Sequence, residues 1–264
     1  FISKKFKHLI TVHAQYGDRA GESKLKYIIF NLFWRFILNN SDGVIAISNK
    51  IHNWLLSERG IHINKITTIH YGVQIKERNN KKEIKNVIGT AARFLPWKGW
   101  DKVIETAAKL RDLNLDFKLL LVGSDDENYK QKLENLVDAN NLNDYIIFEN
   151  HYENIEIFFE KIDLFLFLTE SEGFGLVVLE AIENNIPVVC SNIEPLSEFV
   201  ENSYKTLVNR ENTEEIANFV YKILIDDDLI KQIQLKQKNK IKKEFPITLS
   251  AEKHEKYYIN LLNN

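Results

Sequence analysis

Between residues 86 and 208 the chain alternates short, almost wholly apolar runs with amphipathic stretches, and this constrains the fold more than any other feature. The apolar runs at residues 86–91, 117–122, 145–148, 164–168, 187–190 and 206–208 have the length of strands. Helical spacing lies between them at residues 100–111, 128–140, 155–161, 176–183 and 195–201. Strands that are apolar on both faces and separated by helices predict a parallel sheet covered on both sides. The expected fold class is therefore α/β, a doubly wound domain that takes ligands at the C-terminal ends of its strands.

Two more strands of this type are expected at residues 9–13 and 43–48, with an apolar helical stretch at residues 24–38 between them. The polar segment 74–85 reads as a linker between two domains. A total of 264 residues suits one large or two modest domains. Residues 1–73 are few for a complete doubly wound domain, so they are expected to be the C-terminal portion of one. The second domain is expected over residues 86–245, followed by a terminal helix within 246–264. Phe1 and the absence of Met point to a cut N-terminal edge, and no secretory signal pattern opens the chain.

Composition narrows the function. Thirty-five Lys+Arg against 37 Asp+Glu leave a net charge of −2, which disfavours a general nucleic-acid binder. Cys190 is the only cysteine, which rules out a disulfide scaffold and fits a reducing, cytoplasmic location. No apolar run reaches the ~20 residues that span a bilayer. Residues 230–245 carry six lysines and one acid, Glu244, and read as a solvated helix face. The sharper alternative is a basic surface facing a membrane.

Chemistry concentrates in two places. Thr169-Glu-Ser-Glu-Gly-Phe-Gly-Leu-Val-Val-Leu-Glu180-Ala follows an expected strand and runs straight into a helix. Gly173 and Gly175 permit a tight turn and close approach of the backbone to a ligand. The N–H groups of Gly175, Leu176 and Val177 would then lie open at a helix N-terminus, where phosphate binds favourably. A carboxylate only accepts hydrogen bonds, so Glu172 and Glu180 suit sugar hydroxyls beside such an anion. In the second place, Gly89-Thr-Ala-Ala-Arg93-Phe-Leu-Pro-Trp-Lys98-Gly99, two cations match the two charges of a nucleotide-sugar diphosphate. Arg93 and Lys98 can stabilise the leaving diphosphate without a divalent metal.

The order Arg93, Lys98-Gly99, Val122-Gly123, Glu172-Gly-Phe-Gly, Glu180-Ala and Pro187-Val-Val resembles the retaining glycosyltransferases of family 4, the glycosyl transferases group 1, with the GT-B fold. The resemblance implies two Rossmann-like domains, the C-terminal one holding a nucleotide sugar. It implies that Arg93 and Lys98 contact the diphosphate, and that Glu172 with the backbone at Gly173, Phe174 and Gly175 contacts sugar and phosphate. Glu180 would take the ribose hydroxyls, and the base would lie near Glu149-Asn-His151. The segment Ile69-His-Tyr-Gly-Val73 resembles the family's Asn-Gly-Val element, with His70-Tyr71 in place of the more usual Pro-Asn. Thr11-Val-His13-Ala-Gln-Tyr-Gly17 resembles its His-containing loop, so His13 is expected to hydrogen-bond the sugar or the acceptor. The segment from Phe245-Pro to Tyr257-Tyr258 looks like its last helix, crossing back to the first domain. The expected catalytic set is thus His13, Glu172, Arg93 and Lys98. The substrate-binding set is Gly173, Phe174, Gly175, Leu176, Val177, Glu180 and His151.

The reaction implied is transfer of a sugar, with retention, from a nucleotide-diphosphate sugar to a saccharide or lipid-linked acceptor in surface polysaccharide or lipopolysaccharide assembly. The competing reading is a catalytically incomplete nucleotide-binding subunit that needs a partner. The stretch 24–38 holds eleven large apolar or aromatic residues, and residues 1–40 carry Lys4, Lys5, Lys7, Arg19, Lys24, Lys26 and Arg35 against Asp18 and Glu22. Its plain reading is a packed helix, and its sharper one is peripheral contact with the inner face of the cytoplasmic membrane. Neither cofactor nor metal is expected. Gly89-Thr-Ala-Ala and Gly123-Ser-Asp-Asp lack the dinucleotide turn, the histidines lack zinc-ligand spacing, and no G-x-S-x-G elbow is present. Asp125-Asp126 reads as a helix cap rather than a metal site.

Overall fold

The computed structural model describes residues 6–15, 24–76, 85–125 and 128–263. Lys4, Lys5, Tyr16, Gly17, Asp18, Arg19, Glu22, Asp126 and the linker residues 77–84 lie outside the described residues, as do the side chains of Lys24, Lys26 and Tyr27. Two compact units are formed. The smaller comprises Phe1–Gly72, Glu172–Phe174 and Phe245–Asn264, and the larger Val73–Ser171 and Gly175–Glu244.

In the smaller unit, strands β1 (Leu9–Val12), β2 (Gly43–Ala46) and β3 (Ile66–Thr68) pair in parallel in that order. Parallel neighbours need crossovers, supplied by α1 (Lys24–Asn40) and α2 (Asn49–Ser57). The sequence pattern had not marked α2 or β3. Helix α2 is announced by its cap, Ser48, whose Oγ accepts from the Ile51 amide at 3.2 Å, and by the helical spacing of Ile51, Trp54 and Leu55. Strand β3 places two threonines among its three residues and so lacks an apolar run.

Helix α1 is turned against expectation for a packed helix. Leu38 is buried, with Asn31, Trp34 and Ile37 half-buried along the same side. Ile28, Ile29, Phe30, Leu32, Phe33 and Phe36 face outward, Phe36 at 68% exposure.

The larger unit follows the predicted alternation: β4 (Val87–Ala91), α3 (Trp100–Asp112), β5 (Lys118–Gly123), α4 (Lys130–Ala139), β6 (Ile146–Asn150), α5 (Ile155–Lys161), β7 (Leu164–Phe167), α6 (Leu176–Glu183), β8 (Val188–Ser191), α7 (Leu196–Phe199) and β9 (Leu207–Val208). Boundaries agree with the sequence pattern to within two residues. Two further helices, α8 (Thr213–Ile225) and α9 (Asp227–Glu244), complete the unit. The unanticipated α8 opens on reciprocal hydrogen bonds between Asn212 and Glu215, the amide N–H of Glu215 reaching Asn212 Oδ1 at 3.3 Å and Asn212 Nδ2 reaching Glu215 Oε2 at 2.7 Å.

The six strands are all parallel, in the order β6-β5-β4-β7-β8-β9. Every residue of β7 and β8 is buried, as strands covered on both faces must be. Trp100, Val103, Ile104, Ala107 and Leu110 form the inward stripe of α3, spaced at three and four residues, and join Leu119, Leu121, Leu164 and Leu166 in one core.

The lysine-rich α9 is not uniformly solvated. Lys238 is buried against the equally buried Glu183 at the end of α6, their Nζ and Oε1 lying 3.3 Å apart. Glu183 also accepts the backbone N–H of Lys76 at 2.8 Å. Such a pair is held because removing either partner would strand a buried charge. Lys231, Lys236 and Lys243 are exposed.

The final helix, α10 (Ile247–Asn263), belongs to the smaller unit. Ser250 Oγ donates to the His70 carbonyl at 2.8 Å. Gly72 allows the chain at Pro246–Ile247 to cross closely, because a Cβ there would lie 2.7 Å from Ile247 Cα. Among the described residues, no helix is long and apolar enough to cross a membrane.

Candidate functional site

The order of strands locates the site. From β4 the chain winds outward through β5 to β6, and then returns to place β7 on the other side of β4. Winding therefore reverses between β4 and β7, which is where an open α/β sheet leaves a crevice for ligands at its C-terminal edge. Both sequence constellations leave this edge: Arg93 and Lys98 follow β4, and Glu172 to Glu180 follow β7.

The loop after β4 is held by backbone bonds. The Ala92 amide reaches the Val122 carbonyl at 3.0 Å, and the Phe94 amide reaches that of Ser124 at 2.8 Å. Trp100 Nε1 donates to the Arg93 carbonyl at 3.0 Å, so the backbone of Arg93 is clamped while its side chain is exposed. A 3-10 turn at Pro96–Lys98 ends in Gly99, at φ 73° and ψ 25°. A Cβ on Gly99 would overlap the Leu168 carbonyl oxygen. The Trp97 carbonyl accepts from the Glu170 amide at 2.8 Å and from Thr169 Oγ1 at 3.2 Å. The Lys98 turn is thereby stitched to the residues leaving β7, and Lys98 Nζ lies 5.9 Å from the centre of the Phe167 ring.

Gly175 caps α6 in the left-handed conformation, φ 93° and ψ 46°, and no side chain caps the helix. The first amides of α6, at Leu176 and Val177, thus keep donors directed out of the helix start, with a positive dipole end behind them. Glu180 lies on this helix, half-buried, and burial pushes its carboxyl pKa upward. Among the described residues its carboxylate has no hydrogen-bond partner, which leaves it free to accept. His151 is exposed directly after the outer strand β6, so two strands, β5 and β4, separate its strand from β7. Asp125 Oδ1 accepts from the amides of Tyr129 at 2.7 Å and Lys130 at 3.2 Å; it thus covers the start of α4, while the N-cap position expected of it is held by Tyr129. Among the described residues no group of three His, Cys, Asp or Glu side chains could hold a metal ion.

Within the smaller unit, Glu172, Gly173 and Phe174 meet residues that sequence reading had not singled out. Lys50 Nζ donates to the Glu172 carbonyl at 3.2 Å, and Ser48 Oγ to the Gly173 carbonyl at 3.0 Å. A Cβ on Gly173 would overlap the His13 carbonyl oxygen, so glycine is required there for close backbone approach. Phe174 is buried between His70, 6.1 Å away, and Tyr71, 5.4 Å away and edge-on. Tyr71 in turn stacks on His13 at 5.9 Å, its hydroxyl hydrogen-bonded to His13 Nδ1. His13 is exposed. The available signals were the Ser48 helix cap and the departure from Pro-Asn at His70-Tyr71.

Residues 73–244 match the family described as glycosyl transferases group 1. The chain belongs to that family. Residues 2–77 match a second description, glycosyltransferase family 4. The capsular polysaccharide biosynthesis glycosyltransferase CapM of Staphylococcus aureus is 25% identical over 99% of this chain and 72% of its own length. The O-antigen biosynthesis glycosyltransferase WclY of Escherichia coli is 32% identical over 64% of this chain and 48% of its own. Among solved structures, an S. aureus TarM mutant in complex with fondaparinux, alpha-GlcNAc-glycerol and UDP superposes with a TM-score of 0.82 at 22% identity, over 98% of this chain and 51% of that one. Anabaena HepE in complex with UDP and glucose gives 0.81 at 19% identity, over 95% of this chain and 71% of its own. These likenesses show the GT-B fold. The chain spans from about half to about 70% of the length of these proteins.

Proposed function

We propose that this chain binds a nucleotide-diphosphate sugar and transfers the sugar, with retention, to an acceptor hydroxyl in bacterial surface polysaccharide or lipopolysaccharide assembly. The observation that carries this reading is the placement of both constellations on β4 and β7, the two strands where the winding reverses. The amides opening α6 receive the diphosphate, with Arg93 and Lys98 as its cations. Glu172 and Glu180 accept from hydroxyls of the sugar and the ribose, and the region of His151 receives the base. As the bond from anomeric carbon to phosphate oxygen breaks, negative charge grows on the diphosphate, and fixed donors stabilise it most at that moment. The diphosphate oxygen takes the acceptor's proton, so no enzymic nucleophile is invoked. Kinship with CapM and WclY supports the polysaccharide setting, and UDP in complex with TarM and HepE supports the donor class.

Calorimetry of this chain with UDP, GDP and ADP, followed by a donor-hydrolysis assay, tests the proposal. Binding accompanied by turnover supports it. Binding without turnover would instead mark a nucleotide-binding subunit, and no binding at all would remove the site.

Glu180 gives the binding a pH signature. Its carboxyl pKa is raised by burial, and the ionised form, with both oxygens accepting and charged, binds two ribose hydroxyls more strongly than the protonated one. Nucleoside-diphosphate affinity is therefore expected to fall with decreasing pH, beginning above the ordinary carboxylate range. Glu180→Gln should weaken binding about tenfold at neutral pH and flatten that profile, given ~1.5 kcal/mol for a hydrogen bond to a charged group. Titrations at a series of pH values read both effects.

A lipid-linked acceptor fits the outward apolar face of α1, which carries Phe33 and Phe36 beside Arg35. Such a face buries itself at a membrane surface, with cations favouring anionic lipid. The chain should co-sediment with anionic vesicles at low salt, and Phe33→Ser with Phe36→Ser should abolish this. Failure of the unaltered chain to sediment removes membrane contact from the proposal.

A further inference from the structure

The hydroxyl of Tyr71 is hydrogen-bonded to Nδ1 of His13. A neutral imidazole has one donor and one acceptor nitrogen, so whichever role Nδ1 takes decides what Nε2 presents. A phenolic hydroxyl donates well and accepts poorly, because its lone pairs delocalise into the ring. Among the described residues the Tyr71 hydroxyl has no second partner to receive its proton. Desolvation raises its pKa, which keeps that proton in place. The ring is held by Phe174 edge-on and by stacking on His13, so the hydroxyl cannot swing elsewhere without losing both contacts.

We infer that Tyr71 is a positioning residue that donates to His13 Nδ1 and thereby fixes the imidazole as its Nε2–H tautomer, offering a neutral N–H donor to a ligand oxygen. His13 is exposed, and among the described residues its Nε2 has no partner. The ligand's identity as a donor-sugar or acceptor hydroxyl rests on the transferase reading, whereas the tautomer is a property of the ligand-free chain. Failure of one is therefore distinguishable from failure of the other.

Nitrogen-15 NMR of the whole chain labelled at histidine, recorded at pH 8, above the ordinary imidazole pKa of about 6.5, tests the assignment. A His13→Asn variant identifies the His13 signals. The expected result is a protonated Nε2, a bare Nδ1, and a slowly exchanging hydroxyl proton coupled to Nδ1. Tyr71→Phe should remove that proton and let both His13 tautomers populate. His52, whose Nδ1 lies 2.9 Å from Thr68 Oγ1 in the same unit, should be unchanged and reports that the unit remains folded. A proton on Nδ1 in the unaltered chain, or a tautomer indifferent to Tyr71→Phe, overturns the inference. Should Tyr71→Phe disturb His52 as well, the coupling to Nδ1 in the unaltered chain decides the matter alone.

Discussion

Lys98→Ala is expected to lower donor turnover about a hundredfold while leaving the fold intact. The turn that carries Lys98 is held by backbone contacts of Trp97 and Gly99 with Leu168–Glu170, none of which involves the lysine side chain. Removing the ammonium therefore removes charge while those backbone contacts stay in place. A preorganised donor to a developing anion is typically worth ~10²–10³ in rate, or about 2.7–4 kcal/mol. Lys98→Arg keeps the charge and should recover part of the loss. On the proposed role of Glu172 as an acceptor for the sugar, Glu172→Ala should also lower turnover at least tenfold. Steady-state hydrolysis of the donor, with thermal unfolding as the control, measures both. Rates near those of the unaltered chain in both variants would remove these residues from the chemistry.

Gly99→Ala should be the most damaging single-methyl change in the larger unit. Two penalties add. A left-handed residue with a Cβ costs roughly 1–2 kcal/mol. The new methyl also overlaps the Leu168 carbonyl oxygen, which is backbone at the end of a fully buried strand and cannot rotate aside. Overpacking of that kind costs typically 1–3 kcal/mol, so a total of about 3 kcal/mol is expected. Gly60→Ala is the comparison. Gly60 has a similar φ of 59°, but its nearest neighbour is the flexible Arg35 guanidinium at 3.1 Å, so only the backbone penalty of about 1 kcal/mol applies. Hydrogen exchange of the β4 and β7 amides should report the opening in Gly99→Ala, and nucleotide affinity should fall with it. Equal losses in the two variants would show that the contact with Leu168 carries no weight.

The alternation of strands and helices was legible because burial on both faces leaves a strand no polar positions, so β5, β7 and β8 stand out as apolar runs. Helix and strand ends were legible to within two residues, since they depend on hydrogen bonds that the pattern of side chains does not encode. Strand β3 has no apolar run to mark it, since two of its three residues are threonines, whereas α2 and α8 do carry helical apolar spacing, at Ile51, Trp54 and Leu55 and at Ile216, Val220 and Ile223. Lys238 was misjudged for a different reason. It lies in a lysine-rich run in which Lys231, Lys236 and Lys243 are exposed, and only the fold brings Glu183 to meet it. The same holds for α1, whose composition told of an apolar helix but not of which side faces out.

From the linear chain alone came the α/β class, the glycine turn entering α6, and the pairing of Arg93 with Lys98 before α3, because each is a local matter of period, conformation or spacing. Tertiary structure alone decided that these segments leave adjacent strands at the reversal of winding, that Gly99 is wedged on Leu168, and that Tyr71 grips His13. Contacts between residues tens of positions apart depend on how strands are ordered in a sheet, and that order is set by packing of the whole unit rather than by any short stretch of it.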